Sequence, residues 1–331
     1  MTNAFDIQKY DIASYSSLKH IREEKGSPAN FLWKKTSRDE DKQESEALLM
    51  GKLCDCLLFK PDEFKERFAI VDQVPDTSTN DYKFCEAYSG YIAKGFQPEK
   101  SAILAKTDTE HRFKVDTLLA KLENGWGKHL DYIKVAGKEI LSTERYDRAQ
   151  RLIELVRNNE EIMDILDSCD LIQPWIEWEN KASGQMLKGE MDAGRTDEFS
   201  LDLKALHDVS PFAVIRPWYG KAWSEYYHSQ QAGYQEGLGM PQEQGYLLCL
   251  QTQGPLQIAM YEFNSLHLEQ GLEELNKWAT HFKHCRENDL WHMGPEYYHK
   301  YAIEVDDFGK WTVKGSEFVS CIIGAESLER W

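Results

Sequence analysis

The sequence predicts a mixed α/β protein, an α+β arrangement in which one central mixed β-sheet is covered by helices. Three observations predict it. Short runs show the two-residue alternation of strands, and longer runs carry apolar residues three and four apart. Their order is helices, three strands, a helix, two strands and a final helix, which suits a sheet with helices packed on it. Of the 331 residues 41% are hydrophobic and 29% charged, with ten Trp and sixteen Tyr. That composition supports a sizeable core and excludes a disordered chain. The length fits a single domain over residues 1–331 with a mostly helical insertion at about 75–160.

Ser14 reads as the cap of a first helix that carries Leu18 and Ile21 on one side and ends near Gly26-Ser27-Pro28. A second start at Pro28 brings Phe31, Leu32 and Trp33, followed by a polar loop from Lys34 to Glu46. From Ala47 to Lys60, Leu48, Leu49, Leu53, Leu57 and Leu58 recur at helical spacing. Gly51 lies inside this helix, where Gly costs about 1 kcal/mol relative to Ala, so it marks a close approach by backbone or ligand. Pro61-Asp62-Glu63 opens a short helix, and Arg67–Val71 has strand character. Helices are expected over Tyr82–Ala93, Lys100–Leu122 and Thr143–Asn158. Strands are expected at Ile172–Trp178, Leu187–Asp192 and Phe199–Leu203, consecutive and antiparallel, with turns at Asn180–Gln185 and Ala193–Glu198. A helix from about Tyr219 to Gly237 follows, then strands Gly245–Gln251 and Leu256–Phe263. Leu266–Cys285 closes the pattern as a helix with Leu268, Leu272, Leu275 and Trp278 on its buried side.

No apolar run reaches the roughly 18–20 residues needed to span a bilayer, and Met1–Tyr10 lacks the basic and apolar regions of a signal peptide, so a cytoplasmic protein with no membrane partner is expected. Seven Cys with no C-x-x-C pair read as reduced thiols. The net charge of −17 argues against a nucleic-acid partner unless basic residues gather on one inner face, as a ring-shaped oligomer would allow.

The segment that carries chemistry is Leu187-Lys-Gly-Glu-Met-Asp192, a turn, and Phe199-Ser-Leu-Asp202-Leu-Lys204. The two-residue period puts Asp202 and Lys204 on one face and Leu201 and Leu203 on the other. If the two strands are hairpin neighbours, Asp192 ends near enough to Asp202 to share a cation. Two carboxylates, a backbone carbonyl at Leu203 and waters suit Mg²⁺, with Mn²⁺ as a substitute. Lys204 would position an attacking water or offset charge on a scissile phosphate. The same Asp-x-Lys pattern also describes an exposed ion pair.

The chain resembles the RecE-type exonucleases of the PD-(D/E)xK superfamily, related in fold to lambda exonuclease and the RecB nuclease domain. The resemblance rests on motifs in order over about two thirds of the chain. Ser14–Leu18 and Ser27-Pro28-Ala29-Asn30-Phe31 resemble an opening "S-x-S-x-L … S-P-A-x-F". Ala47–Phe64 is similar to the helix "A-L-x-x-G-x-x-x-H-x-L-L-L-x-P-x-x-F". Lys188–Asp192 and Asp202–Lys204 match "K-G-x-x-D" and "D-x-K", and Gln230 and Tyr234 match "Q-x-x-x-Y".

The resemblance implies a restriction-endonuclease-like core. It makes Asp192 and Asp202 metal ligands, Lys204 the catalytic lysine, and Gln230 and Tyr234 residues that line the DNA path and support the site. Glu177 would contact DNA or stand behind the site. Asp55 occupies the position of the family's usual His and would ligate Mg²⁺ in its place, or pair with a nearby Lys. The implied activity is 5′-to-3′ digestion of linear double-stranded DNA ends. It would proceed alongside a single-strand annealing protein in phage or prophage recombination, by a ring-shaped trimer or tetramer. Two rivals are an endonuclease or single-strand nuclease of the same superfamily, and a non-catalytic DNA-binding relative.

Other clusters carry less. His281, His284, Cys285, His292 and His299 fit no closed zinc site, and Cys54 and Cys56 on a Leu-rich helix read as core. Cys285 and Cys321 are too sparse for an iron–sulfur cluster, and no phosphate-binding G-x-x-x-x-G-K-[ST] loop is present, so digestion should not consume ATP. Lys19, His20, Arg22, Lys25, Lys34, Lys35, Arg38, Arg216 and Lys221 could follow a DNA backbone. Trp218, Tyr219 and Trp223 read as packing residues or base-stacking ones.

Overall fold

The structure is a computed structural model that describes residues 11–21, 27–36, 45–216, 220–292, 302–305 and 311–314. Arg22, Lys25, Arg38, Trp218, Tyr219, His299 and Cys321, the side chains of Lys35 and His292, and most of the expected loop after Lys34 lie outside them. In chain order the elements begin with β1 (Ile12–Ser14), α1 (Tyr15–Leu18), α2 (Pro28–Thr36), α3 (Glu46–Phe59), α4 (Phe64–Arg67) and β2 (Phe68–Ile70). There follow α5 (Asn80–Ala93), α6 (Pro98–Asp108), α7 (Val115–Asn124), α8 (Gly127–Lys134), β3 (Glu139–Leu141), α9 (Thr143–Arg157) and α10 (Glu160–Ser168). The strand-rich part holds β4 (Leu171–Ile172), β5 (Trp175–Glu179), β6 (Met186–Glu190), β7 (Ala193–Arg195) and β8 (Phe199–Leu206). Last come α11 (Pro211–Val214), α12 (Lys221–Ser224), α13 (Tyr227–Leu238), β9 (Gln244–Gln251), β10 (Ile258–Asn264), α14 (Ser265–Glu287), β11 (Ala302–Val305) and β12 (Trp311–Lys314). The chain forms two compact units, Met1–Gly51 with Glu154–Trp331, and Lys52–Ile153.

In the first unit one sheet runs β10-β9-β8-β7-β4 and another β1-β6-β5. β8 pairs with β9 in parallel and with β7 antiparallel, so the mixed sheet expected from the sequence is present. The expected strand Ile172–Trp178 is broken into β4 and β5. Gln173 takes a left-handed φ of 47°, and Pro174 has no N–H to give a ladder. Its partner is interrupted at Met191–Asp192, although Gln173 N–H still reaches the Asp192 carbonyl at 3.0 Å.

The Tyr219–Gly237 helix is also corrected. Its described part is α12 and α13, separated at Tyr226, whose φ of 58° is left-handed. The first helix is shorter than expected: α1 has four residues, capped by Ser14 as read, and it follows β1, which the sequence reading missed.

The core between sheet and helices joins Leu18, Ile21 and Phe31 to Ile176, Trp178, Leu187, Met191, Tyr234, Leu275, Trp278 and Phe282. A second cluster holds Leu206, Val214, Ala232, Leu247, Cys249, Phe263 and Leu268. α13 and α14 approach so closely that a Cβ on Gly271 would lie 2.7 Å from the His228 backbone. α14 begins at Asn264, which forms a reciprocal capping pair with His267.

The second unit is mostly helical, with Phe84, Cys85, Ala102, Ala105, Leu118, Leu122 and Trp126 forming its core. The expected helix Lys100–Leu122 is two, α6 and α7, with Glu110 at a φ of 49° between them. The intervening His111 is buried, its Nε2 3.0 Å from Asp81 Oδ1. β2 and β3 pair in parallel, and β3 was not read from the sequence. Asp55 is a residue of this unit, half-buried on α3 between the buried Cys54 and Cys56. Burial, helped by the Asp55 charge, pushes the Cys54 thiol up to about 12, as suits a packing residue. Among the described residues no helix is long and apolar enough to cross a membrane.

Candidate active site

The site begins with the alternation of β8. Leu201 and Leu203 are buried on one face. On the other face Ser200 accepts from Gln235 Nε2 at 2.8 Å and donates to Gln231 Oε1 at 3.0 Å, so this face meets α13. Asp202 and Lys204 follow Ser200 at two-residue steps and share that face. Because β8 is paired on both sides and covered by a helix, Asp202 is only 2% exposed and Lys204 22%. Lys204 Nζ stands 2.5 Å from Asp202 Oδ2, a charge contact more than a well-directed hydrogen bond.

Burial raises the Asp202 carboxyl above the usual carboxylate range, against the pull of Lys204. Burial alone would lower Lys204, but the charges of Asp202 and then Asp192 outweigh it and hold the ammonium above the usual lysine range.

Asp192 stands one step beyond the last β7–β8 pair, Ala193 with Leu201, and so falls opposite Asp202. Its Oδ2 accepts the Leu203 N–H at 2.6 Å, replacing the backbone acceptor that a longer strand would supply. The strand break is what aims it there. Gly189 on β6 faces α13, yet Gly194, paired with Ser200, faces the same way five residues later. An unbroken strand would turn them to opposite faces. The interruption at Met191–Asp192 reverses the alternation and puts both carboxylates beside Lys204.

α13 supplies the cover. Gln230 Nε2 donates to the Tyr234 hydroxyl at 3.0 Å. Burial raises the Tyr234 phenol against the pull of the Gln230 hydrogen bond, and the charges of Asp202, Asp192 and Glu190 push it further up. The ring lies so close to β6 that a Cβ on Gly189 would be 2.5 Å from Tyr234 Cε1, which accounts for Gly in the Lys188-Gly-Glu-Met-Asp192 segment. The structure therefore brings together Asp192, Asp202, Leu203 and Lys204, with Tyr234 adjacent and Gln230 joined through it. Glu177 stands apart from them. It is exposed on β5 beside Lys188 and accepts from Trp175 Nε1 at 3.2 Å, while its neighbours Ile176 and Trp178 pack toward Gly237 of α13.

Sequence reasoning missed the roles of three residues, Tyr227, Gln231 and Gln235. Tyr227 lies under Lys204, with Nζ 5.1 Å from its ring centre. Gln231 and Gln235 lock α13 to the sheet through Ser200 and the carbonyls of Tyr246 and Gln244. The signal for these was available only as the three- and four-residue spacing of Tyr227, Gln230, Gln231, Tyr234 and Gln235. Trp223 packs as one of the two readings had it, against the ring of His228, with its Nε1 bonded to the Ile215 carbonyl.

Among the described residues no group of three or more His, Cys, Asp or Glu side chains could hold a metal ion. The donor set at Asp192, Asp202 and the Leu203 carbonyl is all hard oxygen, the kind that suits a Mg²⁺ ion keeping several waters, and a cation would offset the cost of burying Asp202.

Among curated proteins there is no significant sequence match. The fold is similar to that of a candidate exonuclease from Eubacterium rectale solved by crystallography, with a TM-score of 0.50 and 14% identity over 97% of each chain. The family model described as a PDDEXK-like domain of unknown function (DUF3799) matches residues 14–298, and the chain, whose acid, acid and lysine converge across β7 and β8, belongs to that family.

Proposed function

We propose that the protein is a metal-dependent DNA nuclease, an exonuclease that degrades linear double-stranded DNA from the 5′ end without ATP. The observation that carries this reading is the convergence of Asp192 and Asp202 beside Lys204. Asp192, Asp202 and the Leu203 carbonyl would hold Mg²⁺, or Mn²⁺ in its place; such an ion supplies charge stabilisation and an acidified water for phosphodiester hydrolysis. Lys204, held charged by the two carboxylates, presents its ammonium to the phosphate and offsets charge as it develops there. Tyr234, wedged against Gly189, fixes the helix wall of the site, and Gln230 holds the Tyr234 hydroxyl. A RecE-like role in phage-type recombination with a single-strand annealing protein, from a ring-shaped trimer or tetramer, completes the reading. It is supported by the motif order and by the need of a protein with charge −17 to hold DNA on an inner face.

The test is digestion of duplex DNA labelled at either end, with Mg²⁺ or EDTA, for the native protein, Asp202→Ala and Lys204→Ala. Release of 5′-labelled mononucleotides from linear DNA alone, lost with EDTA and in both variants, is expected. Cutting of closed circular DNA would make it an endonuclease, and no cutting with Mg²⁺ or Mn²⁺ would leave a DNA-binding relative.

A further inference from the structure

The residue that carries this inference is Tyr227, the first of α13, and it rests on the nuclease reading of the same site. Lys204 has neighbours of opposite character: carboxylates, with Asp202 at 2.5 Å and Asp192 acting through its charge, and the Tyr227 ring, whose centre lies 5.1 Å from Nζ. A carboxylate alone leaves an ammonium free to swing about it, and a π-face on another side restricts that swing. Cations within about 6 Å of a ring centre are attracted to its face. Tyr227 is itself fixed, packed against the cluster that contains Val214, Leu247 and Phe263.

A second observation concerns what brings the ring there. Tyr226 adopts a left-handed backbone, φ 58° and ψ 43°, a conformation that costs a bulky residue energy and persists only where its surroundings enforce it. The surroundings are specific. Its carbonyl accepts the Tyr15 hydroxyl at 2.6 Å, and its ring meets Trp278 edge-on at 4.9 Å. Strain at Tyr226 sets the direction in which α13 departs, and Tyr227 is the next residue. The same turn buries the Tyr226 ring in the core and sets where the Tyr227 ring falls.

We propose that Tyr227 is a positioning residue: its ring face holds the Lys204 ammonium in the orientation that phosphodiester cleavage requires, and the strained turn at Tyr226 exists to place it.

The test compares Tyr227→Phe and Tyr227→Leu with the native protein in steady-state cleavage of duplex DNA with Mg²⁺, alongside thermal unfolding. The Phe variant keeps the ring and should stay within about twofold of native kcat. The Leu variant should lose about tenfold in kcat, with KM little changed, as expected for a cation–π contact that acts on the chemical step. Phe derivatives carrying one, two and three ring fluorines at position 227 keep the shape while weakening the π-face, and kcat should fall stepwise along that series. This series decides the matter even if the Leu variant fails to fold. A flat fluorine series, or a Leu variant with native kcat, would overturn the proposal. A Phe variant as impaired as the Leu one would also overturn it, since the hydroxyl would then be the active part. If the unaltered protein cleaves nothing, it is the nuclease reading that fails, and that outcome is distinct from all of these.

Discussion

Gly189 can present only a hydrogen to the Tyr234 ring, because an added Cβ would lie 2.5 Å from Cε1. Gly189→Ala should therefore push Tyr234 and α13 off the sheet, costing about 1–3 kcal/mol by overpacking. Denaturant unfolding should show that loss, and DNA cleavage should fall with it. His281 makes a different prediction. It is half-buried, its Nε2 has no hydrogen-bond partner, and burial, with His284 adding, lowers its pKa from 6.5 to about 4. As pH falls below 6.5 the unfolded chain takes up a proton that the folded chain refuses until about 4. Stability is thus complete above 6.5 and drains away across that window, by up to about 3 kcal/mol. His281→Gln should flatten this part of the stability profile, measured by denaturant midpoints between pH 7 and pH 4.5. At this scale the sequence was legible where a two-residue period does the work, at Asp202 and Lys204. Gly189 and Tyr227 were not legible, because their roles arise where a helix from 40 residues onward meets the strand.

Among the elements, α13 is set by its first turn. The Tyr15 hydroxyl bonds the carbonyls of both Glu225 and Tyr226, at 3.2 and 2.6 Å, and so holds the left-handed turn in place. Tyr15→Phe should destabilise the protein by about 1 kcal/mol through the lost hydroxyl hydrogen bonds, the Tyr226 carbonyl keeping the Gln230 N–H. It should also lower cleavage beyond what the stability loss explains, if α13 tilts away from Lys204; chemical unfolding and initial rates measured below the transition separate the two effects. β6 and β8 were legible as strands and α14 from its apolar spacing, but β7, which pairs with β8 beside the site, falls in what the sequence read as a turn. The breaks at Gln173, Glu110 and Tyr226 were not. Each is a non-glycine residue in a left-handed conformation that local sequence does not demand and tertiary packing imposes.

At the scale of the whole molecule, charge is unevenly divided. Lys52–Ile153 contains 17 basic and 17 acidic residues, so the net −17 belongs entirely to the remaining residues, where the candidate site lies. On the proposed nuclease reading, a DNA substrate would meet that field through few cationic contacts. The affinity for duplex DNA should then fall less than the roughly 10³–10⁵-fold that six to ten phosphate contacts lose between about 50 and 200 mM salt. Fluorescence anisotropy of a labelled duplex bound to Asp202→Ala, with Ca²⁺ present, measures that slope. The sequence read as a single domain with a helical insertion, and net charge alone concealed that its two compact units differ so much in charge.

The interruption between β6 and β7 also bears on how the site tolerates change. Because the alternation reverses within Glu190–Asp192, the number of residues there matters as well as the identity of Met191 and Asp192. Glu190 can be exchanged for many side chains with the aim of Asp192 preserved. Adding or removing one residue between Gly189 and Asp192 would instead restore a regular strand and turn the carboxylate toward the Leu201 and Leu203 face. In a collection of random variants this short segment should accept substitutions at the exposed Glu190, keep Gly189, the buried Met191 and Asp192, and reject every change of length.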